Sequence, residues 1–141
     1  MRFDSLIPIL EKQIKLYTSL YHLAVQKVEV IKKNDISSLN QMMTDEQKHI
    51  TAITALENER IKELQKLFPS GEKTPTMREC IELADSAQKP VLENIFEQLT
   101  DILQKTKEKN NLNQELIRQS LHFVNYSLSL FQPNASSMNY G

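Results

Sequence analysis

At 141 residues with 40% hydrophobic composition, the chain has the size of one domain with a moderate core. Its formal net charge of −1 leaves no basic footprint for nucleic acid, and no basic run with interleaved aromatics occurs. Cys80 is the single cysteine, which excludes an intramolecular disulfide; with no signal peptide and no apolar run near about 18 residues, a soluble cytoplasmic protein without stable membrane insertion is expected.

The two glycines are Gly71 and Gly141, and the five prolines (Pro8, Pro69, Pro75, Pro90, Pro133) all stand where a helix could begin or end. Strands would need more turn glycines and more β-branched alternation. The prediction is an all-α fold: an elongated antiparallel bundle of three long helices plus one short helix, with coiled-coil-like packing. Residues 1–132 form the bundle, and residues 133–141 form a flexible C-terminal tail.

The first helix starts at Asp4 or Ser5, either of which can cap it. One stripe runs Ile7, Leu10, Ile14, Tyr17, Tyr21, Ala24, Val28, Ile31. A second, Ile9, Leu16, Leu20, Leu23, Val30, lies about 100° around, so this helix should touch two neighbours. Asn34-Asp35 breaks the pattern. Asn34 can end a helix in the left-handed conformation and Asp35 can cap the next, which makes a tight antiparallel hairpin. The second helix carries Ile36, Leu39, Met43, Ile50, Ile53, Ile61, Leu64 and Phe68, with Glu46 and Glu57 interrupting the stripe. Met42 and Met43 read as gap-filling core residues in preference to an adaptable binding surface.

Pro69 to Pro75 forms a loop. Thr76-x-x-Glu79 then reads as a capping box for a short helix with Met77, Cys80, Ile81 and Ala84, and Cys80 reads as a small core residue. Its few apolar groups suggest a segment able to give way to a partner helix. From Lys89 to Phe131 there is no Gly and one Pro, Pro90, in the first turn. A long helix follows, with Leu92, Ile95, Leu99 and Ile102 and then Ile117, Leu121, Val124, Leu128 and Phe131 on its seam. Leu116, Phe123, Tyr126 and Leu130 form a second stripe roughly 135° away, and that stripe may serve another molecule. Residues 110–141 hold two charges, Glu115 and Arg118, against 14 Asn, Gln or Ser. Such a surface suits protein contact better than phosphate contact. By length the last helix should outrun the hairpin by about 13 Å.

Catalytic chemistry finds no support. Folding about Asn34-Asp35 brings His22 near His49, and Glu46-x-x-His49 has the spacing of a carboxylate-bridged di-iron pair. No second Glu-x-x-His completes it, so no metal site is expected. No Gly-rich phosphate loop, nucleophile elbow or Cys-x-x-Cys occurs, and no cofactor or enzymatic activity is predicted. Heptads over the first two helices also allow a structural coiled-coil oligomer or homodimer. A membrane-surface helix would want more Lys and Arg than the one arginine of residues 110–131.

The stretch Asn113-Gln-Glu-Leu-Ile-Arg-Gln-Ser-Leu-His-Phe-Val-Asn-Tyr-Ser-Leu, followed by a polar spacer and Asn139-Tyr140-Gly141, resembles the FlgN family of flagellar type III export chaperones. The break at Asn34-Asp35-Ile36 and Thr76-Met-Arg-Glu-Cys-Ile-Glu-Leu resemble the family's opening hairpin and short Thr-capped helix, so the likeness spans nearly the whole chain. The resemblance implies a cytoplasmic, ATP-independent chaperone. Such a protein binds hook–filament junction proteins (FlgK- and FlgL-like) through a C-terminal amphipathic helix of the partner. It prevents premature assembly and delivers them to the flagellar export gate. The expected partner-binding residues are Leu116, Phe123, Tyr126, Leu130 and Phe131, with Tyr140 added by resemblance. Another secretion chaperone (FliT-like) and a structural oligomerisation protein are the alternatives.

Overall fold

A helix with two apolar stripes must be covered on two sides, and α1 (Leu6–Lys32) is. In the computed structural model, which describes the backbone of residues 1–71 and 73–131 and the side chains of residues 1–71 and 73–119, α1 packs against both α2 (Ile36–Leu67) and α4 (Lys89–Phe131). Among the described residues no Cα of α2 comes within 8 Å of one in α4. The bundle is therefore a row with α1 in the middle. The short α3 (Met77–Leu83) packs against α4. The described residues contain no strand. The expected three long helices and one short one are all present.

The hairpin forms as the sequence dictates. Asn34 takes φ 55°, the left-handed conformation that an asparagine tolerates, and its N–H donates to the Ile31 carbonyl. The Asp35 carboxylate accepts from the Ser38 N–H at 3.1 Å and caps α2. At the start of α1 the expected side-chain cap is absent. The Asp4 carboxylate is taken by Arg2 and Gln88, and the Ser5 hydroxyl donates to Glu63. The Phe3 carbonyl instead accepts from the N–H groups of Leu6 and Ile7, both at 3.1 Å. At α3, Thr76 accepts from the Glu79 N–H at 3.2 Å, which is one half of the predicted capping box.

The best-packed region lies where the N-terminus, the end of α2, α3 and the start of α4 converge. Phe3, Leu6, Leu10, Leu64, Cys80, Ala84, Leu92 and Ile95 form one buried cluster. Phe3 is completely buried and its ring stacks on Phe68 at 6.5 Å. Cys80 of α3 and Ala84, just after it, are part of this core. The N-terminal segment is held by paired polar groups. The Phe3 N–H donates to Gln88 Oε1 at 2.6 Å, and Gln88 Nε2 donates to Asp4 Oδ1 at 2.7 Å. The Asp85 N–H donates to the Met1 carbonyl at 2.8 Å, and Arg2 reaches both Asp4 and Asp85. The hydrogen bond from Arg2 holds the Asp4 carboxyl below its ordinary range, and the bond from the Gln88 N–H does the same for Asp85.

These ties make α1 and α4 parallel, with α2 antiparallel to both. Higher up, Asn113 of α4 is buried and its Nδ2 donates to the Ala24 carbonyl at 3.1 Å. Phe3 thus stands beside Gln88 and Ala24 beside Asn113. Continuing that register puts the Asn34-Asp35 turn near position 123, so about eight residues of α4, some 12 Å, run beyond the turn. This agrees with the overhang expected from helix lengths.

The position of Phe3 gives a test. Removing a fully buried ring leaves a cavity, so Phe3→Ala should cost about 3–5 kcal/mol. Ile36→Ala, at a 70% exposed position, should change stability by less than about 0.5 kcal/mol. Chemical denaturation of the two variants checks both.

Candidate functional site

The α1–α2 seam is polar at intervals. Lys27 Nζ lies 3.1 Å from Glu46 Oε2, Ser19 Oγ lies 2.7 Å from His49 Nε2, and Gln13 Nε2 donates to Glu57 Oε2 at 2.9 Å. These pairs follow the antiparallel register expected from the hairpin. They also explain the two glutamates that interrupt the α2 stripe, because each carboxylate has a partner across the seam. His22 and His49 line the same shallow depression with Ser19, Asp45 and Lys48. Among the described residues no three His, Cys, Asp or Glu side chains gather to hold a metal ion.

Glu57 is the electrostatic centre of this seam. Arg60 Nε donates to Glu57 Oε2 at 2.9 Å. That hydrogen bond holds the Glu57 carboxyl below its ordinary value of 4.5, with partial burial acting against it and Gln13 reinforcing it. The same contact raises the Arg60 guanidinium, while burial pushes the nearby Tyr17 hydroxyl and Cys80 thiol up. A paired, half-buried cluster of this kind orders a seam; it offers no free base or nucleophile.

The expected partner-binding stripe begins at Leu116, which is half-buried on α4. The side chains of Phe123, Tyr126, Leu130 and Phe131 lie outside the described residues, and so does Tyr140. Of that stripe, the helix that carries it and its register against α1 are described. One reading is corrected. Met43, expected as core filling, is 55% exposed: α2 packs there along α1, and Met43 stands off that seam. Ile36 and Ile50 share that exposure. Met43 lies three heptads from the buried Leu64, and a helix drifts about 20° per heptad, so the two do not share one face. The heavy polar substitution around Met43 (Asn40, Gln41, Thr44, Gln47) was the available signal.

A carboxylate whose folded value is depressed stabilises the fold fully above its unfolded value, and that contribution is lost as pH falls through the lower folded value. Glu57→Gln should therefore cost less than about 1 kcal/mol near neutral pH, given its partial exposure. The gap to the parent should close as pH drops below 4.5, the ordinary value for this carboxyl. Melting curves from pH 7 downward check the sign.

The chain matches the family model described as FlgN protein over residues 1–141. It is also similar to "Uncharacterized protein YvyG" of Bacillus subtilis (strain 168). The two are 31% identical over 140 residues, which cover 99% of this chain and 87% of that protein. No solved structure matches. No helix among the described residues is long and apolar enough to cross a membrane. With the whole length matched and the four-helix order in place, the chain belongs to the FlgN family, a family of flagellar export chaperones and not of enzymes.

Proposed function

We propose that this chaperone acts in the cytoplasm on hook–filament junction proteins of the FlgK and FlgL kind. It binds an amphipathic helix near the partner's C-terminus, keeps the partner from assembling early, and hands it to the export gate. The observation that supports this most is the run of α4 about two turns beyond the α1–α2 turn. In sequence, that end is rich in apolar residues and nearly free of charge. Apolar helix surface of this kind calls for a protein cover. Leu116, Phe123, Tyr126, Leu130 and Phe131 are the proposed contacts, with Tyr140 in the tail as a further one. A helix read by such a stripe is held by a few anchors at i, i+3, i+4 and i+7 spacing.

Replacing Phe123 and Leu130 together by Ser should weaken binding of a purified junction protein by at least about tenfold, or 1.4 kcal/mol. Helicity and melting should stay close to the parent. Removing residues 128–141 should likewise spare most thermal stability and impair binding or export. Equal loss of stability and binding, seen by calorimetry on both variants, would assign these residues to the core.

A further inference from the structure

The line along which α1 meets α4 has two sides. On α1 it passes through Ala24, whose carbonyl accepts from Asn113 Nδ2 at 3.1 Å. Lys27, which pairs with Glu46 of α2, lies about 60° from Ala24 in one sense of rotation. Tyr21 and Val25 lie about 60° and about 100° from it in the other sense. α2 therefore covers one flank of α1, and Tyr21 and Val25 stand on the opposite flank. Tyr21 is half-buried there and Val25 is exposed.

α4 divides in the same way. Measured from Gln88, which meets Phe3, the residue Phe96 lies about 80° round, where the Arg78 guanidinium of α3 covers it. Measured from Asn113, Lys109, Leu116 and Leu112 lie about 40°, 60° and 100° round in the opposite sense. On parallel helices, opposite senses of rotation from the contact line face the same side. Tyr21 and Val25 thus share a side with Lys109, Leu112 and Leu116, and α2 and α3 both lie on the other. The charges agree: the Lys105 ammonium is held above its ordinary range by Asp101, and the Tyr21 hydroxyl across the seam adds to this. The register that sets Ala24 beside Asn113 puts Val25 level with Leu112, which is 41% exposed, and with the half-buried Leu116. Phe123 follows Leu116 by one heptad, so the α4 stripe starts from this side.

One cation here lacks a counterpart. Lys105 is paired with Asp101 at 3.1 Å and Arg118 with Glu115 at 3.0 Å. Lys109 stands between them, half-buried, and makes no ion pair among the described residues. An ammonium partly withdrawn from water beside exposed apolar groups is complementary to an incoming carboxylate.

We propose that the partner helix lies on this side of the α1–α4 pair, with Tyr21 and Val25 as a second wall facing Leu112 and Leu116, and that it carries a carboxylate on its edge that pairs with Lys109. The proposal rests on the junction-protein reading above and adds to it a wall and a charge. The helix it selects has apolar anchors along one stripe and an Asp or Glu beside that stripe. The apolar contacts supply most of the affinity, and the ion pair fixes where along α4 the helix sits.

The test uses the full chain and a purified, full-length hook–filament junction protein. Val25→Glu should bind at least about tenfold more weakly while keeping the parent's helicity and melting temperature. Lys109→Glu should also lose at least about tenfold at low salt, and most of that loss should disappear at high salt, where the new repulsion is screened. Met43→Glu, at an exposed position of α2, should bind within about twofold of the parent. A bimane dye on Val25→Cys should shift to the blue when the junction protein is added; the native Cys80 is buried and so is spared the label. If the parent binds the junction protein, both glutamate variants bind equally well and the dye does not respond, the proposed side is wrong and the junction-protein reading stands. A loss in Lys109→Glu that salt leaves unchanged would overturn the carboxylate. If the parent fails to bind any junction protein, both readings fall. A dye already blue in the free monomer would give this side to the chain's own residues, and a parent dimer in sedimentation that Val25→Glu splits would give it to a second copy; either overturns the proposal.

Discussion

Everything in this molecule is set from the junction of its N-terminus with the start of α4. Phe3 is fully buried, its N–H is bound to the Gln88 side chain, and Gln88 returns a hydrogen bond to Asp4. A chain terminus usually frays. Here the first few residues are tied by a buried ring and four polar contacts, so α1 and α4 start level and run parallel. Burying an aromatic or large aliphatic side chain contributes about 1.5–3 kcal/mol, and this end concentrates most of the fully buried ones.

Away from that junction α1 stays buried as far as Ile31, while apolar residues of α2 and α4 become exposed. The α4 heptad column is Leu92 and Leu99 near the junction, then Thr106 and Asn113, both buried. Thr106 satisfies its hydroxyl on the Ile102 carbonyl, and Asn113 donates to Ala24, but no partner for Asn113 Oδ1 occurs among the described residues. A buried amide in a seam costs stability and fixes register. The upper half of the α1–α4 contact is thus specific but less tightly held than the lower half. On α2, Ile50, Met43 and Ile36 are exposed over the same stretch.

Most of the fold was legible because its signals are local. The Asn34-Asp35 break, the Thr76 cap, Pro90 in the first turn of α4 and the double stripe of α1 each depend on residues a few positions apart. What escaped depends on distant partners. Asp4 and Ser5 look like caps, yet their side chains are claimed by Gln88, Arg2 and Glu63. Met43 looks like core because it continues the apolar rhythm that ends at the buried Leu64, yet three heptads of drift turn it about 60° away from that direction, where it is exposed. Glu57 looks like a defect in the stripe until Gln13 and Arg60 are found beside it. Of the proposed binding stripe, sequence periodicity supplies the side chains from Phe123 onward, and the structure supplies the helix that carries them.

Native-state amide hydrogen exchange on the free protein tests this graded construction most directly, because local opening energies follow burial and contact density. Protection should be greatest at Leu6–Ile14, Leu56–Leu64 and Leu92–Leu99, and should fall steadily along all three long helices toward the Asn34-Asp35 turn. Protection that is uniform along α1, α2 and α4, or that is greatest near the turn, would contradict a fold anchored at one end and open at the other.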